Sequence, residues 1–307
     1  MAHPAAKTLA LFAAVLAVFV VVGGLVGEYV FGSWLAGLVV ALGLSLVLNA
    51  VAYFASDRLV LWSTHARIVS AAEAPRLARA VEDLAPVFGL VAPRIAIVPT
   101  ATPNAFATGR DERHAVVAAT EGILGILNDR ELRGVLAHEL AHIRDRDVLV
   151  MTIAATLAGA ISYAAQVLIF SSLFGGGRGR GVNPLVLVVA AITAPIAAML
   201  LRLAISRTRE YRADEVGATT IGDPEALASA LLKLEGANTR RPLTVGSPAQ
   251  ASLYIVNPLR GGGLTGLFST HPPIEERVRR LRALRLDRTY RPTIRPVTVG
   301  PSRASRG

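Results

Sequence analysis

Four long apolar stretches dominate this sequence and limit what it can become. They run from about Thr8 to Val26, from about Ser33 to Phe54, from about Val148 to Phe174 and from about Pro184 to Ile205. A helix that crosses a bilayer needs about 20 mostly apolar residues, and each stretch meets that length. A secretory signal fits the first one poorly, because the run is long for such a segment and no A-x-A site follows it. Core helices of soluble domains rarely run this far without a charge. Pro195 interrupts the last stretch, which membrane helices tolerate. Composition agrees: 52% of the 307 residues are hydrophobic and only 18% are charged, against about 25% charged in ordinary soluble domains.

Lysine and arginine set the orientation, because cytoplasmic flanks of spans are enriched in both. With the N-terminus inside, the cytoplasmic flanks hold Lys7, Arg58, Arg67, Arg144, Arg146, Arg202, Arg207, Arg209 and Arg212. The outer loops hold only Arg178 and Arg180, beside Glu28. The net charge of +10 then fits the anionic inner leaflet better than nucleic acid, for which no recognition motif is present. The chain therefore divides into a membrane hairpin (1–56), a cytoplasmic part (57–147), a second hairpin (148–205), a second cytoplasmic part (206–288) and a basic tail (289–307) expected to be disordered. The two cytoplasmic parts must assemble across the second hairpin.

Within them, Ala74–Phe88 reads as an amphipathic helix, with Leu77, Val81, Leu84 and Phe88 at helical spacing. Arg94–Val98, Ala105–Thr108 and Ala115–Ala119 read as short strands, the second at a sheet edge because Pro103 precedes it. Asn128 and Glu131 form a capping-box pair ahead of a helix that runs from Asp129 to about Arg144. Further helices are expected from Ser206 to Gly217, from Pro224 (capped by Asp223) to about Leu234, and from near Pro273. Gly236 to Gly266 reads as a long loop. The fold class is thus α+β, mainly α, with a small β-sheet.

The chemistry lies in His138-Glu139-Leu140-Ala141-His142 on that capped helix. With no cysteine in the chain, thiol catalysis, disulfides and cysteine-ligated metals are excluded. Two histidines four residues apart share one helix face, where both rings can reach one divalent ion, with Glu139 beside it as a base. Catalytic zinc takes three protein ligands. No Gly-x-x-His follows His142, and Val148 stands where a third histidine of that kind would fall. Glu210, in Arg209-Glu210-Tyr211-Arg212-Ala213-Asp214, is the best candidate. Asp214, one turn further on, could accept from the outer ring nitrogen of His138 or His142. Tyr211 reads as a packed aromatic.

The chain resembles the HtpX family of membrane zinc metalloproteases, related to the CaaX prenyl proteases. The resemblance rests on two leading spans, Pro103-Asn104-Ala105-Phe106-Ala107-Thr108-Gly109, the His-Glu-x-x-His segment, two further spans, Arg209–Asp214, and Ser269-Thr270-His271-Pro272-Pro273 with Arg277. It implies a gluzincin-like fold, one zinc per chain held by His138, His142 and Glu210, and Glu139 as catalytic base. It also implies cleavage of membrane or misfolded proteins and an inner-membrane location. In such relatives the residues matching His271 and Arg277 sit near the zinc, so either could stabilise the oxyanion; otherwise they are a cap residue and an exposed charge. Asn104, on the expected edge strand, could bind the backbone of a substrate that pairs with it or polarise the scissile carbonyl, or be a turn residue. Two other readings are a prenyl-peptide protease, which would need more spans than four, and a non-catalytic zinc scaffold, against which the presence of Glu139 argues.

Overall fold

The computed structural model describes residues 32–158, 207–240, 253–256 and 272–284, together with scattered positions between 9 and 28. In chain order the elements are α1 (Trp34–Phe54), α2 (Ser56–Ser63), β1 (Arg67–Val69), α3 (Pro75–Leu84), β2 (Arg94–Val98), β3 (Ala105–Thr108), β4 (Val116–Thr120), α4 (Glu121–Ile126) and α5 (Asp129–Arg144). They continue with α6 (Asp147–Ala158), α7 (Arg207–Ile221), α8 (Pro224–Arg240) and α9 (Ile274–Ala283). The fold is mostly helical with one small mixed sheet.

That sheet has the order β1-β2-β4-β3, with β2 and β4 parallel and the outer pairs antiparallel. Strand side chains alternate between faces, and here both faces are covered. Ile95, Ala105, Ala107, Val117 and Ala119 point into one core with Leu132, Val135, Leu136 and Leu140 of α5. Ala96, Val98, Phe106, Val116 and Ala118 point into a second core with Val150, Ile153, Ala154 and Leu157 of α6. Every residue of β4 is buried, as expected of a strand between two layers.

The capped helix forms as its sequence dictates. Asn128 Oδ1 accepts from the Glu131 amide at 2.9 Å, and Glu131 Oε2 accepts from the Asn128 amide at 3.0 Å, which closes the capping box. Glu131 also accepts from Ser229 at 2.6 Å and from Lys233 at 2.8 Å, so the cap of α5 anchors α8 as well. Lys233 and Ser229, with the Asn128 amide, outweigh the burial of Glu131 and hold its carboxyl below its ordinary range. Asp223 caps α8 through the Ala226 amide at 3.1 Å and takes a two-pronged contact from Arg130 at 2.6 and 2.7 Å.

The close approach of α8 to α5 needs Gly134. A Cβ there would lie 2.6 Å from the Leu227 amide nitrogen and 2.8 Å from the Ala226 carbonyl carbon. Both are backbone, so no side chain can turn aside. Alanine would return roughly 0.8–1 kcal/mol of helix propensity, whereas overpacking costs about 1–3 kcal/mol. Gly134→Ala is expected to lower stability by up to about 2 kcal/mol in denaturant unfolding; raised stability would contradict this packing.

Several expectations are met and some are refined. Ala74–Phe88 is α3 followed by a 3-10 turn over Ala85–Phe88. Helix α8 runs to Arg240, past the expected end near Leu234. β1, α2 and α4 were not expected. The second expected span is α1, with Ser33 capping it; among the described residues it is the one helix long and apolar enough to cross a membrane. Leu35, Val39, Leu46 and Phe54 on it are exposed. Of the first expected span, the described positions are all helical. Of the third, only α6 is described, and it packs against the sheet: Val150, Ile153, Ala154 and Ala158 are fully buried. An apolar run reads the same whether lipid or protein covers it. The fourth expected span and the tail 289–307 lie outside the described residues.

Candidate metal centre and active site

Helix α5 presents His138 and His142 on the face that meets α7. Their Nε2 atoms are 3.2 Å apart, with the rings edge to face at 89°. From α7, Glu210 brings Oε1 to 3.5 Å from His142 Nε2 and Oε2 to 3.8 Å from His138 Nε2. All three side chains are buried. Among the described residues these form the one cluster of histidine and carboxylate atoms able to hold a metal ion. The approach of α7 depends on Gly217, where a Cβ would lie 3.0 Å from the His138 amide nitrogen and 3.0 Å from the Ala137 carbonyl carbon.

The donor set fits a tetrahedral divalent cation. Metal–nitrogen bonds of about 2.0–2.1 Å at a tetrahedral angle put two ligand nitrogens about 3.3 Å apart, close to the separation of the two rings. Two nitrogens and a carboxylate also suit such an ion by ligand type.

Each ring is backed by an aspartate, and each aspartate by an arginine. His138 Nδ1 lies 2.9 Å from Asp214 Oδ1. Arg277 donates from Nε and Nη2 to the two oxygens of Asp214 at 2.8 and 2.7 Å. On the other side His142 Nδ1 lies 3.7 Å from Asp147 Oδ2, and Arg209 Nη1 donates to Asp147 Oδ1 at 2.9 Å. Such outer partners orient metal-binding rings. Arg277 is fully buried.

The charges follow from this layout. Burial pushes His138 down to about 4, against the pull of Asp214. Burial also opposes a charge on His142, but Asp147, Glu210 and Glu139 outweigh it and raise the ring to about 9. Both aspartates would be raised by burial alone; Arg277 with His138, and His142 with Arg209, hold them below the ordinary carboxylate range instead. Arg277 is raised, because Asp214, Glu210 and Glu139 overcome its own burial.

Of the expected site residues, His138, His142, Glu210 and Asp214 come together, and Glu139 is buried next to them on α5. Asp214 pairs with His138 rather than with His142. Arg277 is neither an exposed charge nor free to turn toward a substrate oxyanion, because Asp214 occupies two of its donors and the Ile255 carbonyl a third at 2.9 Å. Asn104 is buried, not a surface turn residue, and its side chain bonds to Val256. Tyr211 packs under the Arg280 guanidinium, 3.9 Å from the ring centre. His271 lies outside the described residues. Asp147 and Arg209 were missed. The available signal was their position: Asp147 opens the helix after His142, and Arg209 precedes Glu210.

The known proteins that resemble this chain point the same way. A family model described as peptidase family M48 matches residues 71–285. A "Protease HtpX homolog" from Syntrophobacter fumaroxidans is 50% identical over 91% of this chain and 98% of its own length. Another from Pyrococcus furiosus is 54% identical over 82% of this chain and 88% of its own. A crystal structure of Ste24p from S. mikatae superimposes with a TM-score of 0.46 at 18% identity, over 90% of this chain and 64% of that one, a likeness too low to carry an argument. The chain belongs to peptidase family M48, as a membrane-associated metalloprotease of the HtpX group.

Proposed function

We propose that this protein is a zinc-dependent endopeptidase that cleaves membrane or misfolded proteins at the cytoplasmic face of the bacterial inner membrane. The observation that carries the reading is the convergence of His138, His142 and Glu210, with Asp214 and Asp147 behind the two rings. Glu139 adds a carboxylate that a purely structural metal site does not need. Four spans, with the N-terminus inside, remain the reading of the apolar stretches. The exposed apolar surface of α1 supports membrane contact, since such patches mark lipid or partner surfaces. The N-terminal hairpin (1–56) and the second hairpin (148–205), whose opening α6 packs against the sheet, would then hold parts 57–147 and 206–288 together at the bilayer.

His138, His142 and Glu210 would hold the zinc, which when bound supplies a Lewis acid that polarises a carbonyl and eases deprotonation of water. Glu139 takes the proton from the attacking water and returns it to the leaving amine. Asp214 and Asp147 keep the two rings in the tautomer that offers Nε2 inward. Strand β3, with Asn104, lines up an extended peptide by main-chain pairing. His271 is the remaining candidate for the oxyanion, since Arg277 is engaged elsewhere.

The test is metal analysis of detergent-purified protein. Wild type is expected to carry close to one zinc per chain, and Glu210→Ala almost none, since it lacks one of three ligands. A Glu210→Ala protein that keeps its metal would remove Glu210 from the site and leave only the helix α5 pair standing.

A further inference from the structure

The outer edge of β3 is already taken. Residues 253–256, about 150 positions away along the chain, lie against it. The Ile255 amide donates to the Ala105 carbonyl at 3.1 Å. Next to it, the Val256 amide donates to Asn104 Oδ1 at 3.2 Å, and Asn104 Nδ2 donates to the Val256 carbonyl at 2.6 Å. Arg277 Nη1 donates to the Ile255 carbonyl at 2.9 Å. Two consecutive residues thus have both amides and both carbonyls bonded. Their partners are the edge of β3, the Asn104 carboxamide and the guanidinium that also grips Asp214 behind His138.

An ordinary added strand pairs backbone to backbone, and any residue at its neighbour would serve. Here three of the four bonds come from side chains, Asn104 and Arg277, and one of these reaches the metal-ligand cluster through a single aspartate. Side chains that read backbone amides and carbonyls are what an endopeptidase needs in order to hold an extended chain of arbitrary sequence. The segment's own side chains are seated too. Ile255 is buried in the core that contains α5, and the Tyr254 ring meets Phe106 edge-on at 5.4 Å between centres.

We propose that Leu253–Val256 occupies the place of a substrate backbone, and that it must leave β3 before a protein substrate can bind there. This rests on the protease reading of the site. Under it, Asn104 and Arg277 are the residues that hold the substrate main chain, and Ile255 marks the subsite, one that accepts a branched aliphatic side chain. The preferred substrate is an extended, unfolded polypeptide. A tethered segment competes at an effective concentration of millimolar order, so a short peptide displaces it poorly, whereas a long unfolded chain with many contacts can.

The test is hydrogen exchange on full-length Glu139→Gln protein in detergent, with reduced, carboxymethylated casein as probe. The expected result is that amides of residues 253–256 exchange at least about 10-fold faster at saturating casein, while those of β2 and β4 do not change. Exchange in 253–256 that is unaltered or slowed at every casein concentration overturns the proposal. A second variant, Val256→Pro, removes the amide that Asn104 accepts from. It is expected to raise kcat/KM for a short unstructured peptide by about 10-fold, through a lower KM. An unchanged or lowered kcat/KM, with β4 protection intact, overturns the proposal equally. Failure of the protease reading would look different: zinc-loaded wild type would leave the casein uncleaved, whatever the exchange of residues 253–256.

Discussion

Glu139→Gln is expected to lower kcat for casein hydrolysis by about 10²–10⁴-fold, the range supplied by a positioned general base, and to leave the metal content unchanged. Glutamine matches the shape and hydrogen-bonding reach of glutamate but cannot accept the proton. Glu139 is buried, so bulk buffer is a poor substitute for it. It is not among the three residues whose atoms converge as ligands, which is why metal should stay. Single-turnover assays at matched metal content measure the effect. A variant that keeps more than about a tenth of wild-type kcat would fall outside the range for loss of a general base and would strip Glu139 of that role.

Arg277→Leu is expected to be among the most damaging substitutions outside the ligand set. Arg277 is wholly buried and Asp214 nearly so. Removing one partner of a buried pair leaves an uncompensated charge, at a cost of about 3–5 kcal/mol. The loss should appear in denaturant unfolding. It should also appear as weaker metal binding, by about 10–100-fold, because Asp214 would no longer be fixed against His138. The double variant Asp214→Leu, Arg277→Leu separates the two effects. Apolar replacement of both partners of a buried pair is often neutral, so the double variant should recover most of the stability while metal affinity stays low. If Arg277→Leu alone unfolds like wild type, the pair is not the buried clamp described above.

The site was legible where its chemistry follows a helical period. His138, Glu139 and His142 share one helix, and the Asn128–Glu131 capping box announces where that helix starts. Glu210 was reached by asking which carboxylate could complete the set, and Asp214 by adding one turn. Partner choices between elements were not legible. Nothing in the spacing says that Asp214 faces His138 while Asp147 faces His142, because that depends on how α7 and α6 lie against α5. Arg277 reads from the sequence as an exposed charge or an oxyanion group; arginine is almost never fully buried unless paired, and the partner that buries it, Asp214, is 63 positions away. Residues 253–256 sit in a stretch rich in Gly, Pro, Ser and Thr, where composition says loop and cannot say which strand the loop will cover. The apolar opening of α6 illustrates the limit for membrane spans: hydropathy alone could not tell lipid from sheet.

The order in which the site's parts appear along the chain has a consequence for its birth. Asn104, the two histidines, Glu210 and Arg277 lie in that order, so the ribosome delivers the catalytic pieces over some 135 residues between His142 and Arg277. At about 5–20 residues per second, a half-made molecule waits roughly 7 to 27 seconds with two ligands and no third, then no clamp. During that interval the chain holds an incomplete ligand set, then an unclamped one. The metal-ligand set closes only once α7 is made, and the Asp214 clamp only once α9 is made.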